Sequence, residues 1–157
     1  MDGLMLRLAL QDLQDRYVAA IDNDRLEEWP GFFIEACHYG IVSRENEEAG
    51  LPAPVIHCTS AAMLRDRVLA LRHANIYEKP AYRHALSGMV FRTEPDGSHA
   101  VETSYIVVNT DQEGVSHLYQ AGRYLDQVVM TEAGLRFRSK RCIYDTLRVQ
   151  TLLAYPI

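Results

Sequence analysis

The chain has no apolar run long enough to carry a helix across a bilayer. Its apolar stretches are a few residues, as in Tyr105-Ile106-Val107-Val108, where about twenty are needed. It also has no basic excess: 16 Lys and Arg against 21 Asp and Glu leave a net charge of −5. That balance argues against nucleic-acid binding, which needs a basic face to displace phosphate counterions. Three cysteines, Cys37, Cys58 and Cys142, are too few and too widely spaced for a disulfide scaffold. They are expected to be small buried hydrophobes, kept reduced in the cytosol. The N-terminus, Met1-Asp2-Gly3-Leu4, lacks the charged segment and apolar run of an export signal, so a cytoplasmic location is expected. No repeat, low-complexity tract or Pro/Gly-rich linker divides the chain. Residues 1–157 are therefore read as one domain, able to bury roughly 70% of its unfolded surface.

The usual signatures of catalysis are missing too. An iron–sulfur site of the two-Cys, two-His type needs Cys-x-His and Cys-x-x-His pairs on tight loops. Here Cys37-His38 and His57-Cys58 are direct neighbours, and neighbours in a strand point to opposite faces. A two-His, one-carboxylate iron site needs converging ligands; the nearest hints are His73 with Glu78, and His84. There is no Gly-x-Ser-x-Gly elbow, and Ser60 and Ser87 read as a helix cap and a strand residue. The nine glycines read as turn residues rather than a phosphate loop.

What is present reads as helices first and strands last. Leu6, Leu10, Leu13, Tyr17 and Ile21 recur at three- and four-residue spacing, which predicts an amphipathic helix over 4–21. A short helix over 25–29 precedes Pro30, and Phe32-Phe33 should be buried. A strand is expected over 38–43, followed by an irregular charged loop over 44–54. Ser60 should cap a helix reaching about His73, with Leu64, Val68 and Leu71 facing the core and Met63 and Ala70 beside them. From Tyr82 the period becomes two. Turns at Asp96-Gly97, Gln112-Glu113-Gly114 and Glu132-Ala133-Gly134 predict a meander of four strands, about 82–95, 98–110, 115–131 and 134–149. Leu135 and Phe137 alternate with Arg136, Arg138 and Lys140, which would put the three basic side chains on the wet or partner-facing side. The alternation slips between Ser139 and Cys142, as at a bulge. The pattern is α+β.

One series of residues goes further. It runs Trp29-Pro30-Gly31-Phe32-Phe33, Tyr39, Arg44-Glu45-Asn46, Gly50-Leu51-Pro52, Met63-Leu64-Arg65-Asp66-Arg67-Val68, Ala70-Leu71-Arg72, Ile76-Tyr77-Glu78 and Tyr82-Arg83-His84. In residue type and order it resembles the small (beta) subunits of aromatic-ring-hydroxylating dioxygenases, most closely those whose partners act on aromatic acids such as salicylate, anthranilate, benzoate, terephthalate or cumate. The resemblance implies an NTF2-like (cystatin-like) cone, with N-terminal helices packed in a long curved antiparallel sheet. It implies a non-catalytic structural subunit, a trimeric base in an α3β3 assembly. The large subunit would carry a Rieske [2Fe–2S] cluster and a mononuclear Fe(II), with electrons derived from NAD(P)H. No catalytic, cofactor or metal residue is expected in this chain.

Arg44, Glu45, Asn46, Tyr82, Arg83 and His84 are the candidate partner-interface residues, since Arg and Tyr combine apolar area with directional hydrogen bonds. The apolar end, Leu152 to Ile157, should dock into its own domain or across a subunit boundary. Two alternatives remain open. One is a stand-alone NTF2-like lyase or isomerase without cofactor, drawing on Tyr17, Asp22, His38, Tyr39, His84, Tyr105, His117 and Tyr119. The other is a small-ligand binding module of the same fold.

Overall fold

The expected apolar stripe is buried along α1 (Gly3–Asp22): Leu6, Leu10, Leu13, Tyr17 and Ile21 all face inward. Asp2 starts this helix by accepting the N–H groups of Leu4 (2.7 Å) and Met5 (3.3 Å). The computed structural model describes residues 2–51, 53–74, 81–146 and 155–157. A 3-10 helix, Leu26–Phe32, follows α1 and contains Pro30. The first strand, β1 (Phe33–Ser43), starts five residues before the expected strand. Phe33 and His38 pair with Phe137 and Ser139 across a register irregularity, and Ile34, Glu35 and Ala36 interrupt the burial alternation that would have marked a strand.

The charged loop after β1 opens instead with a single helical turn, α2 (Arg44–Glu48). Ser43 Oγ caps it by accepting the Asn46 N–H at 3.2 Å, and Glu45 and Glu47 suit the positive end of the turn. Five residues are too few to show a helical period. The short edge strand β2 (Ile56–Cys58) pairs antiparallel with β1. Ser60 caps α3 (Ala61–His73) as expected. Its buried face is Ala61, Leu64 and Val68, with Leu71 half-buried. Met63 and Ala70 are exposed, contrary to expectation; Met63 Sδ accepts the Thr59 hydroxyl outside the core.

The meander is β3 (Ala81–Thr93), β4 (His99–Thr110), β5 (Ser116–Thr131) and β6 (Gly134–Tyr144). Residues 147–149, assigned above to the last strand, lie outside the described residues. The six strands form one sheet in the order β2-β1-β6-β5-β4-β3, mixed because β1 runs parallel to β6. One extra residue interrupts each of three ladders: β3 between Ser87 and Val90, β5 at Tyr119, and β6 at Arg138. Such bulges bend and twist their strands, and α1 lies against the inner side of this sheet. The aromatic centre is made of edge-to-face rings, with Trp29 to Tyr39 at 5.0 Å and Tyr17 to Phe137 at 5.5 Å.

The bulge at Arg138 corrects the expectation for Lys140. Leu135 and Phe137 face inward, Arg138 is the additional residue, and the inward positions then become Lys140 and Cys142. Lys140 is fully buried rather than on the wet face. The glycines also differ from expectation, since Gly40, Gly88 and Gly122 lie within strands. Gly88 has φ +60° at the β3 bulge. A Cβ on Gly122 would collide with the Ile143 main-chain oxygen and lie 2.8 Å from Tyr144 Cα.

Arg72 fastens α3 to the 3-10 helix. It donates to Glu27 through Nε (2.7 Å) and Nη2 (2.9 Å), and to Asp24 Oδ1 at 2.8 Å. These hydrogen bonds hold the Glu27 carboxyl at about 2, below its usual 4.5. A folded-state value lowered in this way gives stability that is present above pH 4.5 and is lost as pH falls toward 2. The Glu27 side chain is 64% exposed, so solvent screening keeps the effect small. In melting curves between pH 5 and pH 2, the parent chain should lose more stability than Glu27→Gln; equal slopes would show that the clamp is idle. Gly122→Ala should lower stability by about 1–3 kcal/mol in urea titrations, through forced backbone displacement; a neutral substitution would contradict the close approach.

Candidate functional site

The six candidate interface residues fall on two separate elements. Arg44, Glu45 and Asn46 are in α2. Arg44 faces Asp145 at 3.4 Å, Asn46 donates to the Ala53 carbonyl at 3.4 Å, and Glu45 is exposed. With Tyr144 and Thr146 they border a polar recess of about 220 Å³. Tyr82, Arg83 and His84 begin the edge strand β3. The register runs Ser43, Tyr144, Gly122, Tyr105, Leu86 across the sheet. Both groups therefore lie toward one end of it, four strands and roughly 19 Å apart.

Of the β3 residues only Arg83 faces outward. Tyr82 is buried against Tyr119 (5.1 Å) and Tyr155 (5.7 Å). The His84 side chain is enclosed: Nδ1 lies 2.6 Å from Asp22 Oδ1, and the His84 main-chain N–H donates to Asp22 Oδ2 at 2.9 Å. Asp22 closes α1, so this pair pins the end of the helix to the edge of the sheet. The His84 Nε2 has no hydrogen-bond partner among the described residues.

The other candidate polar residues are dispersed. His38 is exposed, and so is His117, 3.6 Å from Asp111. Tyr105 stacks on Tyr124 at 4.4 Å and donates to Gln120 Oε1 at 2.7 Å. Tyr17 and Tyr39 converge, but on the chain itself: both hydroxyls donate to the main-chain oxygen of Ile157, at 2.7 and 3.3 Å. The expectation that the apolar end docks holds within this domain for Pro156 and Ile157, which are buried. Leu152, Leu153 and Ala154 lie outside the described residues. Burial pushes the hydroxyl pKa values of Tyr17 and Tyr39 well up, so both remain donors.

A second interior cluster had no sequence signal. Lys140 Nζ donates to Asp126 Oδ2 (2.9 Å) and Gln14 Oε1 (3.0 Å), and Gln14 Nε2 donates to the same Asp126 oxygen (2.6 Å). Nζ also sits over three rings, at 3.7 Å from Tyr124, 4.4 Å from Phe137 and 4.5 Å from Tyr17. Burial raises the Asp126 pKa and lowers that of Lys140, while their mutual attraction acts in the opposite sense on both. Asp126 and Lys140 are direct cross-strand partners, which fixes the geometry of the pair.

All three cysteines are buried, as expected. Burial lifts Cys37 to about 11 and Cys142 to about 12. His38 and His57 point away from their neighbouring cysteines into solvent, as strand alternation requires. Among the described residues no three His, Cys, Asp or Glu side chains gather. Glu78 is outside those residues, and His84 is engaged by Asp22. The chain's described donors therefore do not fit a Rieske cluster or a mononuclear iron. No helix among the described residues is long and apolar enough to cross a membrane.

Outward, the sheet presents a broad cleft of about 890 Å³, lined by Val90, Arg92, Glu102, Leu125, Gln127 and Arg141. Exposed apolar side chains, Ile106 (47%) and Leu118 (53%), continue the outer face toward Arg83.

The buried pair generates a direct test. Lys140→Met should cost about 3–5 kcal/mol in urea unfolding, because it strands the Asp126 carboxylate in the core. The triple variant Gln14→Leu, Asp126→Leu, Lys140→Met should regain most of that loss. A single variant as stable as the parent would show that the pair does not constrain the core.

Comparison with known proteins agrees with this geometry. A SnoaL-like domain matches residues 3–141. The anthranilate 1,2-dioxygenase small subunit of Burkholderia cepacia is 56% identical over 145 residues, 92% of this chain and 90% of that one. A beta subunit (beta 2) of the terminal oxygenase component of terephthalate 1,2-dioxygenase, from Comamonas sp, is 33% identical over 141 residues, 90% of this chain and 92% of its own. A solved structure from Novosphingobium aromaticivorans, described as the beta subunit of an aromatic-ring-hydroxylating dioxygenase, superposes with a TM-score of 0.90 at 40% identity over 99% of both chains. The α+β architecture of NTF2-like type expected from the sequence is the one observed. The chain belongs to the small subunits of the aromatic-ring-hydroxylating dioxygenases, components of oxygenase complexes that also contain a large subunit.

Proposed function

We propose that this chain is the non-catalytic, structural subunit of an oxygenase acting on an aromatic acid, and that it forms a trimeric base holding catalytic large subunits in an α3β3 assembly. The observation that carries the reading is the division between a filled interior and an open exterior. Inside the sheet, the space is taken by aromatic rings, by the Lys140–Asp126–Gln14 cluster and by Ile157. Outside, the sheet offers a wide face mixing Val90, Ile106 and Leu118 with ion-paired Arg123 and Glu102, the mixture of apolar area and Arg that suits a protein partner. The likeness to the anthranilate relative supports an aromatic acid as substrate of the complex. The Rieske cluster and mononuclear Fe(II) would belong to the large subunit. Three buried thiols suit a reducing cytoplasm.

A second reading, a proton-transfer lyase or isomerase without cofactor, draws on Asp22 and His84, a carboxylate–imidazole pair found together inside. It requires turnover by this chain without a partner.

Co-expression with a large subunit of an aromatic-acid dioxygenase, followed by mass measurement, separates these readings. The structural subunit should elute bound to the large one, and alone should run at three times its 17.9 kDa mass, iron-free and inactive on aromatic acids. Arg83→Glu should weaken the complex without unfolding the chain, since Arg83 is exposed. Tightly bound stoichiometric iron, or turnover by the isolated chain, would overturn the structural role.

A further inference from the structure

The polar groups at the centre of the domain read out one residue from both ends. Tyr39 Oη donates to the Ile157 main-chain oxygen at 3.3 Å and accepts the Ile157 N–H at 2.9 Å. Tyr17 Oη donates to the same oxygen at 2.7 Å, and Cys142 Sγ lies 3.4 Å from it. Trp29 Nε1 donates to Tyr17 Oη at 3.4 Å and orients that hydroxyl. Four separate elements thus converge: α1, the 3-10 helix, β1 and β6. Ile157 itself is fully buried. Donors from three of these elements aimed at one oxygen, one of them oriented by the fourth and all within a ring of aromatic edges, form a preorganised receptor rather than incidental packing.

We propose that this centre is a binding site for a branched aliphatic acylated residue, free or carried on a short peptide, and that the chain's own Ile157 is its resident ligand. The chemistry sets the ligand class. Two hydroxyl donors select an amide or carboxyl oxygen. The Tyr39 oxygen selects an N–H on the same residue, and the apolar walls select a branched side chain. Lysine or aspartate at that position would bury an unpaired charge. Holding Ile157 also places Tyr155 against Tyr82, 5.7 Å apart, so occupancy fixes the start of the edge strand.

The test is complementation in trans. A chain lacking residues 155–157 is titrated with acetyl-Tyr-Pro-Ile, with N-acetyl-isoleucine and with N-acetyl-aspartate. The single Trp29, fully buried beside the site, reports through its emission, and the melting temperature is followed in parallel. The shortened chain should melt lower and emit further to the red. Acetyl-Tyr-Pro-Ile should reverse both saturably, N-acetyl-isoleucine in part, and N-acetyl-aspartate not at all. A folded shortened chain that ignores both isoleucine probes, or answers all three alike, overturns the proposal. Should the shortened chain fail to fold, Tyr39→Phe in the full chain decides by hydrogen exchange. Exchange at the Ile157 amide should quicken about tenfold while α1 amides stay unchanged; an unchanged Ile157 amide overturns the proposal.

Discussion

The buried pair between Lys140 and Asp126 is the constraint around which the rest of the domain is arranged. A charge at the centre of a small domain is tolerated only when its surroundings answer it. Here the surroundings are Gln14 from α1, the carboxylate on the neighbouring strand, and three ring faces. Moving α1 outward would break the Gln14 contacts, and sliding β5 along β6 would separate Asp126 from Lys140. The pair thus ties the helix to the sheet and holds the register of two strands together. The cost of desolvating both ions offsets much of what their attraction contributes.

That arrangement depends on one inserted residue. Without the bulge at Arg138, Lys140 would point to solvent and Arg141 inward. The same shift directs Cys142 toward Tyr39 and the Ile157 oxygen. A single break in alternation therefore serves both interior clusters, the ionic one near α1 and the tyrosine-lined one near Trp29. The interior is occupied by the chain's own groups, and the outer face of the sheet stays exposed.

Much of this fold was legible in the sequence wherever a local period or a cap announced it. The stripe from Leu6 to Ile21, the Ser60 cap and the Asp96-Gly97 turn are such signals, and α1, α3 and the meander followed from them. The α2 turn and the first half of β1 were not legible, because five residues carry no period and a register irregularity erased the alternation. The slip between Ser139 and Cys142 was visible as a bulge beside its true place at Arg138, yet its consequence for Lys140 was missed. A change of parity moves every later residue to the other face. The site was less legible still. Gln14 and Asp126 are 112 residues apart, and Asp22 and His84 are 62 apart. Nothing local links such positions; only folding brings them together. Tyr82 and His84, chosen for their types, face inward, while Arg83 between them faces out, as strand alternation requires.

The bulge in β3 has a consequence for how the subunit behaves in a crowd. Among the described residues β3 pairs only with β4; on its other side Asp22 takes the His84 N–H and Arg7 the Met89 carbonyl, and no strand covers the edge. A long flat edge of this kind invites sheet-to-sheet growth. The break between Ser87 and Val90, with Gly88 turned to positive φ, divides the edge into two short segments that point differently. An incoming strand can match one segment or the other, but not run the full length. The kink that curves the sheet thereby also discourages open-ended stacking along this edge.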